Sequence, residues 1–197
     1  MIEYIEGLLM EKNPALAVID CQGVGYVLGI SLNSFSKLPA VGERCKLFAH
    51  LQIKEDAHTL YGFITREERL MFRLLIGVSG VGASTAQMML SAMNVSELTS
   101  YIASGQSGAL QAIKGIGAKT AQRIIIELRD KISKTDISAE QFQVGDLGGN
   151  IRNEAMSALV LLGFPKATAE KAVNTIIKAS DGTLTVELLI KEALKIL

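Results

Sequence analysis

The chain has 197 residues, 49% of them hydrophobic and 20% charged, with a mean hydropathy of +0.31; that is enough apolar material for one medium core or several small ones, and it excludes a disordered chain. Twenty Lys and Arg side chains balance twenty Asp and Glu, so no strongly basic total announces a polyanionic partner. The balance hides a gradient, with 5 basic against 7 acidic residues over 1–63, 9 against 7 over 64–140, and 6 against 6 over 141–197.

From Ile2 to Phe63 short β-branched runs alternate with turn residues. They predict strands at Ile2–Leu9, Ala15–Cys21, Val24–Ile30, Cys45–Ile53 and Thr59–Phe63, separated by Asn13-Pro14, Gly23, Gly25 and Gly42, with one helical turn near Ser34–Leu38. Five short strands at this spacing point to a small barrel of the OB type. Cys21 and Cys45 form no CxxC pair and read as buried reduced thiols, and no Cys/His cluster surrounds His50 or His58. No metal or cofactor is expected.

After Thr65 the period becomes helical, with Glu67 and Glu68 in a first turn and helices bounded by glycine continuing to about Ile132. This middle segment repeats itself at a shift of 35 residues: Leu75 matches Leu110, Gly80 matches Gly115, Gly82 matches Gly117, and Ala83, Thr85, Ala86 and Gln87 match Ala118, Thr120, Ala121 and Gln122. Each copy reads helix, Gly-hydrophobic-Gly, helix. The turns are Ser79-Gly80-Val81-Gly82, followed by Ser84 and Thr85, and Lys114-Gly115-Ile116-Gly117, followed by Lys119 and Thr120.

Glycine tolerates positive φ and lets a second backbone come close, and free amides at a helix N-terminus accept a phosphate oxygen without reading a base. Val81 and Ile116 would plug each turn into its own helix pair. A ligand-free helical hairpin is the bland alternative for one such motif; two in tandem weigh against it. The pair resembles the helix-hairpin-helix, a DNA-backbone binder indifferent to sequence. Lys114, Lys119 and Arg123 stand where the first copy has Ser79, Ser84 and Met88, so the second hairpin is expected to supply most of the charge. Arg66, Arg69 and Arg73 are open to two readings, a solvated helix face or further phosphate contacts. A nucleotide loop is excluded by spacing, because G-x-x-x-x-G-K-[ST] ending at Lys119 would need glycines where the chain has Ile113 and Ala118.

Residues 134–149 lose periodicity and end in Gly148-Gly149, the mark of a flexible linker. Asn150 then suits an N-cap for a helix to Leu162, Gly163 its C-terminal turn, Pro165 the first position of a second helix, and Thr185 the start of a third. The expected organisation is multidomain α+β: a barrel at 1–63, tandem hairpins at 64–133, a linker at 134–149 and a three-helix bundle, similar to ubiquitin-associated bundles, at 150–197. The absence of a long apolar run, with Ala155–Phe164 the most apolar stretch, and the acids in Met1–Glu6 predict a cytoplasmic protein with no membrane association.

The whole arrangement, with Gly23-Val24-Gly25-Tyr26, Glu55-Asp56 followed by Leu60-Tyr61-Gly62-Phe63, both Gly-x-Gly turns, and Leu161, Gly163 and Phe164, resembles the RuvA family of bacterial Holliday-junction branch-migration subunits. The resemblance implies a non-catalytic homotetramer, or an octamer, that holds four-way DNA junctions open and square. It also implies recruitment of the hexameric ATPase RuvB through the C-terminal bundle and later association with the RuvC resolvase, in recombination and repair. Lys54 joins the implied DNA contacts, and Glu55 and Asp56 become an acidic pin that keeps strands apart where they exchange. The family often has lysine at the place of Ser84. Helix-hairpin-helix glycosylases and nucleases are the enzyme alternative, but Asp130 and Asp136 are the only aspartates near the second hairpin and form no catalytic set. A pure interaction scaffold would leave the Gly-x-Gly turns with Lys119 and Arg123 unexplained.

Overall fold

The strands at the N-terminus close on themselves. In the computed structural model, which describes residues 2–134, 151–179 and 184–197, β1 (Tyr4–Asn13), β2 (Leu16–Cys21), β3 (Val24–Ile30), β4 (Arg44–Ile53) and β5 (His58–Phe63) form a barrel in the order β1-β2-β3-β5-β4. All pairings are antiparallel except β3 with β5, the arrangement of an OB-type barrel. Strand alternation turns Ile5, Leu9, Ala17, Ile19, Leu28, Leu47 and Ala49 inward to fill it. Gly7 also faces in, where a Cβ would stand 2.1 Å from the Asp20 carbonyl oxygen. Of the two cysteines, Cys45 is buried as expected, whereas Cys21 is half-buried and its Sγ donates to the Glu6 carbonyl.

Most strand ends fall within one or two residues of those expected, and two elements depart further. β1 runs on to Asn13, because a bulge between Leu9 and Glu11 shifts the register and lets Glu11, Lys12 and Asn13 pair with Val18, Ala17 and Leu16 after the apolar alternation has ended. The helix α1 (Leu32–Phe35) starts earlier than Ser34, since Ser31 caps it by accepting from the Ser34 amide.

Five helices follow: α2 (Arg66–Ile76), α3 (Ala83–Ala92), α4 (Val95–Ala103), α5 (Ser107–Gln111) and α6 (Ala118–Lys134). Thr65 caps α2 by accepting from the Glu68 amide, with Glu67 and Glu68 in the first turn, where acids complement the helix dipole. Met71, Phe72 and Leu75 on α2 are fully buried and share a core with Phe63 of β5 and with Met89, Leu90, Leu98, Ile102, Leu110, Ile124 and Leu128. The Phe63 and Phe72 ring centroids are 4.9 Å apart.

The chain divides into two compact units. The second holds α7 (Ile151–Leu161), α8 (Lys166–Ala179) and α9 (Val186–Ile196) around Ala155, Leu159, Ala169, Val173, Leu189 and Ala193. Gly163, at φ +99°, ends α7; the Phe164 amide reaches back to the Leu159 carbonyl and the Gly163 amide to Val160, the bond pair of a Schellman turn. Pro165 sits one place before the expected position, as N-cap, because its carbonyl already accepts the first helical bond from Ala169. Thr185 caps α9 through the Leu188 amide. The expected linker, 134–149, falls almost entirely on residues outside those described, as does the expected cap Asn150.

Candidate nucleic-acid interface

The repeat in the sequence is a repeat in space. In the first motif the Val78 amide donates to Leu75 at 3.0 Å, Val81 to Val78 at 3.0 Å and Ala86 to Gly82 at 2.9 Å. In the second, Ile113 donates to Leu110 at 3.2 Å, Ile116 to Ile113 at 3.1 Å and Ala121 to Gly117 at 2.9 Å. Gly80 and Gly115 both adopt φ +91°, a left-handed conformation open to glycine and costly to other residues. Val81 and Ile116 are each 5% exposed and plug their turns into the helical core.

Gly82 and Gly117 need a different explanation. Gly82 has an ordinary φ of −83° as the N-cap of α3 and caps that helix with no side chain. A Cβ on Gly82 or on Gly117 would meet nothing within 4 Å. Internal packing therefore does not require either glycine; what their bare backbone provides is open approach to the first-turn amides from outside. Ser79, Ser84, Lys114 and Lys119 are exposed around the two turns, and Thr85 and Thr120 are half-buried at equivalent places. The cations are on the second turn.

The first hairpin is held to the barrel through α1. Leu32 donates its amide to Ser91 Oγ at 3.0 Å, and the Asn33 amide group donates to the Leu90 and Met93 carbonyls at the end of α3. Gly29 of β3 leaves room for Gln87, whose amide nitrogen would lie 3.4 Å from a Cβ there. The matched Gln122 is exposed instead, so an identity in the repeat serves different purposes in the two copies. Glu68, buried on α2, accepts from Ser31 Oγ and Ser34 Oγ, and Ser34 Oγ in turn accepts from the Ile64 amide. None of these ties was visible in the sequence, where the polar partners stand 30 or more residues apart.

The α2 arginines do not share one role: Arg66 is exposed and Arg73 half-buried, whereas Arg69 is withdrawn from the solvated face. Arg69 is 7% exposed: it donates to the Glu3 carbonyl at 2.8 Å and bonds the Glu3 carboxylate. It fastens the start of β1 to α2 and is withdrawn from solvent. Its hydrogen bond is the main influence holding the Glu3 carboxyl below its usual value, against an opposing effect of burial. Arg66 lies 5.1 Å from the centre of the Phe48 ring. His50 is edge-on to Phe72 and is held below the usual imidazole range, first by burial and then by Arg73 and Arg69.

Lys54, Glu55 and Asp56 lie on another element, at the exposed tip of the β4–β5 hairpin. Ile53 pairs with His58, and the Lys54 amide closes the turn on the Ala57 carbonyl at 2.8 Å. Among the described residues no hydrogen bond or ion pair joins this tip to the hairpin motifs. The structure thus gathers Ser79–Thr85 and Lys114–Arg123 and leaves the acidic turn apart. Nor do the described residues include a group of three or more His, Cys, Asp or Glu side chains placed to hold a metal, or a helix long and apolar enough to cross a membrane.

An OB-type barrel carrying two hairpins of matching geometry defines a DNA-binding protein of the helix-hairpin-helix class. Family models match in the same places: the RuvA N-terminal domain over residues 1–62, a SAM-like helix-hairpin-helix tandem over 72–130, and the RuvA C-terminal domain over 150–197. Curated relatives named Holliday junction branch migration complex subunit RuvA are 49% identical over 195 residues in Christiangramia forsetii, 48% over 195 residues in Flavobacterium psychrophilum and 46% over 202 residues in Bacteroides fragilis, each match covering 99% of both chains. The chain belongs to the RuvA family.

Proposed function

We propose that this chain is the subunit that recognises Holliday junctions and recruits the RuvB motor for branch migration, acting as a homotetramer or octamer in the cytoplasm without catalysing a reaction itself. The observation that carries the reading is the pair of bare turns with equal φ at Gly80 and Gly115, each followed by a glycine whose Cβ would fill only open space. Amides at such turns bind phosphate oxygens irrespective of base, as a protein that lets DNA slide past requires. Ser79, Gly80 and Gly82 with Ser84 and Thr85, and Lys114, Gly115 and Gly117 with Lys119 and Thr120, are the phosphate contacts, with Val81 and Ile116 holding each turn from its buried side; Arg123 stands beside them, and Lys54 adds a contact from the separate β4–β5 tip. Four copies would present equivalent sites to the four arms of a junction.

Glu55 and Asp56 act by repulsion: carboxylates disfavour a continuous duplex across the junction centre and keep exchanging strands apart. The C-terminal bundle docks on RuvB, and the RuvC resolvase joins the assembled complex. A gel shift comparing a four-way junction with linear duplex of the same sequence, alongside an ATPase assay on the purified protein, tests this. Strong preference for the junction and no ATP turnover are expected. Equal affinity for both DNAs would remove junction recognition, and ATP turnover would return the chain to the enzyme class.

A further inference from the structure

The two hairpins differ at positions that show how they are joined. Met88 and Arg123 are equivalent in the repeat, each the sixth residue of its helix, α3 or α6, and Ser79 and Lys114 are equivalent at the entrance to the turns. Each of these helix positions reaches across to the other motif. Arg123 Nη1 donates to the Ser79 carbonyl at 3.0 Å, and Met88 Cε lies 3.7 Å from where a Cβ on Gly115 would stand. The cross-contacts are reciprocal, and the one made by Arg123 is a charged hydrogen bond. The carbonyl it holds belongs to the peptide unit entering Gly80, whose φ of +91° shapes the first turn.

We propose that Arg123 is a positioning residue: by bonding the Ser79 carbonyl it fixes the spacing of the two turns, so that they meet a DNA backbone as one rigid pair of phosphate cradles. The proposal rests on the reading that both turns hold phosphates. Two contacts held at a fixed spacing bind together at less entropic cost than two that must be ordered separately. A lysine at this position keeps the charge but lacks the guanidinium fork and its reach; a methionine copies the first motif and loses the bond as well.

The test uses the full chain with Arg123→Lys, Arg123→Met and Lys119→Ala. Binding of a synthetic four-way junction is titrated at several salt concentrations, and amide hydrogen exchange is followed through Gly80–Gly82 in the DNA-free protein. Both Arg123 variants are expected to speed exchange in the first turn and to weaken junction binding by about three- to tenfold, the worth of one hydrogen bond. Arg123→Lys is expected to do so with the wild-type slope of log K against log salt. Wild-type exchange and affinity in Arg123→Lys would overturn the proposal and leave Arg123 as a charge alone. If Lys119→Ala leaves both the affinity and the salt slope unchanged, the phosphate contact assigned to Lys119 fails, while the exchange rates in the Arg123 variants still decide whether the brace exists.

Discussion

At Gly82 and Gly117 a single methyl group separates what the fold needs from what a phosphate needs. Because a Cβ at either place meets nothing within 4 Å, Gly82→Ala and Gly117→Ala are expected to cost no more than about 1 kcal/mol of stability, the difference between glycine and alanine at an N-cap. Junction binding should nevertheless fall about tenfold or more, since the methyl occupies the line of approach to the amides. Gly80→Ala and Gly115→Ala should behave in the opposite order, lowering the melting temperature first, because alanine is strained at φ +91°. Thermal melts paired with gel shifts separate the two cases; unchanged binding in Gly82→Ala and Gly117→Ala would remove the amide cradle. Charge follows a separate rule. Lys119→Ala should lower the slope of log K against log salt by about 0.9, whereas Ser84→Ala should leave it unchanged.

Between elements, the contact of β1 with α2 has a pH signature. Arg69 holds the Glu3 carboxyl below the 4.5 of a free carboxyl, so the carboxylate's contribution is complete above that value and is lost as pH falls through the lower value of the folded state. Wild type and Glu3→Gln should therefore differ in urea midpoint by a constant amount from neutral pH down to about pH 5 and converge as pH falls further. A pH-independent difference would mean that the pair does not couple to folding. Arg69→Met, which strips a donor from the Glu3 carbonyl, should cost about 1–3 kcal/mol.

The β4–β5 tip makes the complementary case. Its turn is closed by the backbone bond from Lys54 to Ala57, so Glu55→Gln with Asp56→Asn should fold normally. The double variant should bind duplex more tightly and change the rate of branch migration. Wild-type discrimination and rate in that variant would make the acids an ordinary turn.

For the whole molecule, the division into two compact units decides what can be removed. The helices α7–α9 bury their apolar side chains against one another, around Ala155, Leu159, Ala169, Val173, Leu189 and Ala193. A fragment ending near Lys134 should consequently melt as a folded unit and bind junctions with unchanged affinity, yet fail to stimulate branch migration by RuvB. Migration at the full rate with the fragment would rule out the C-terminal bundle as the coupling element.

The parts of this protein legible in its sequence are those whose cause is local. A Gly-hydrophobic-Gly turn is set by φ at one glycine and by a bond spanning three residues, so the 35-residue repeat revealed both hairpins; strand alternation likewise revealed the barrel, and Gly163 and Thr185 marked helix ends through bonds to close neighbours. What the sequence left open depends on partners far along the chain. Arg69 looked like its neighbours on α2 until a carbonyl 66 residues away gave it a buried role. Arg123 read as one more cation until the turn 44 residues before it came within hydrogen-bond reach. Gly29 read as part of a strand until Gln87 packed against it. Periodicity reports which face of an element is buried, because burial repeats with the pitch of the backbone; which polar atom meets which is decided only when tertiary packing brings distant segments together.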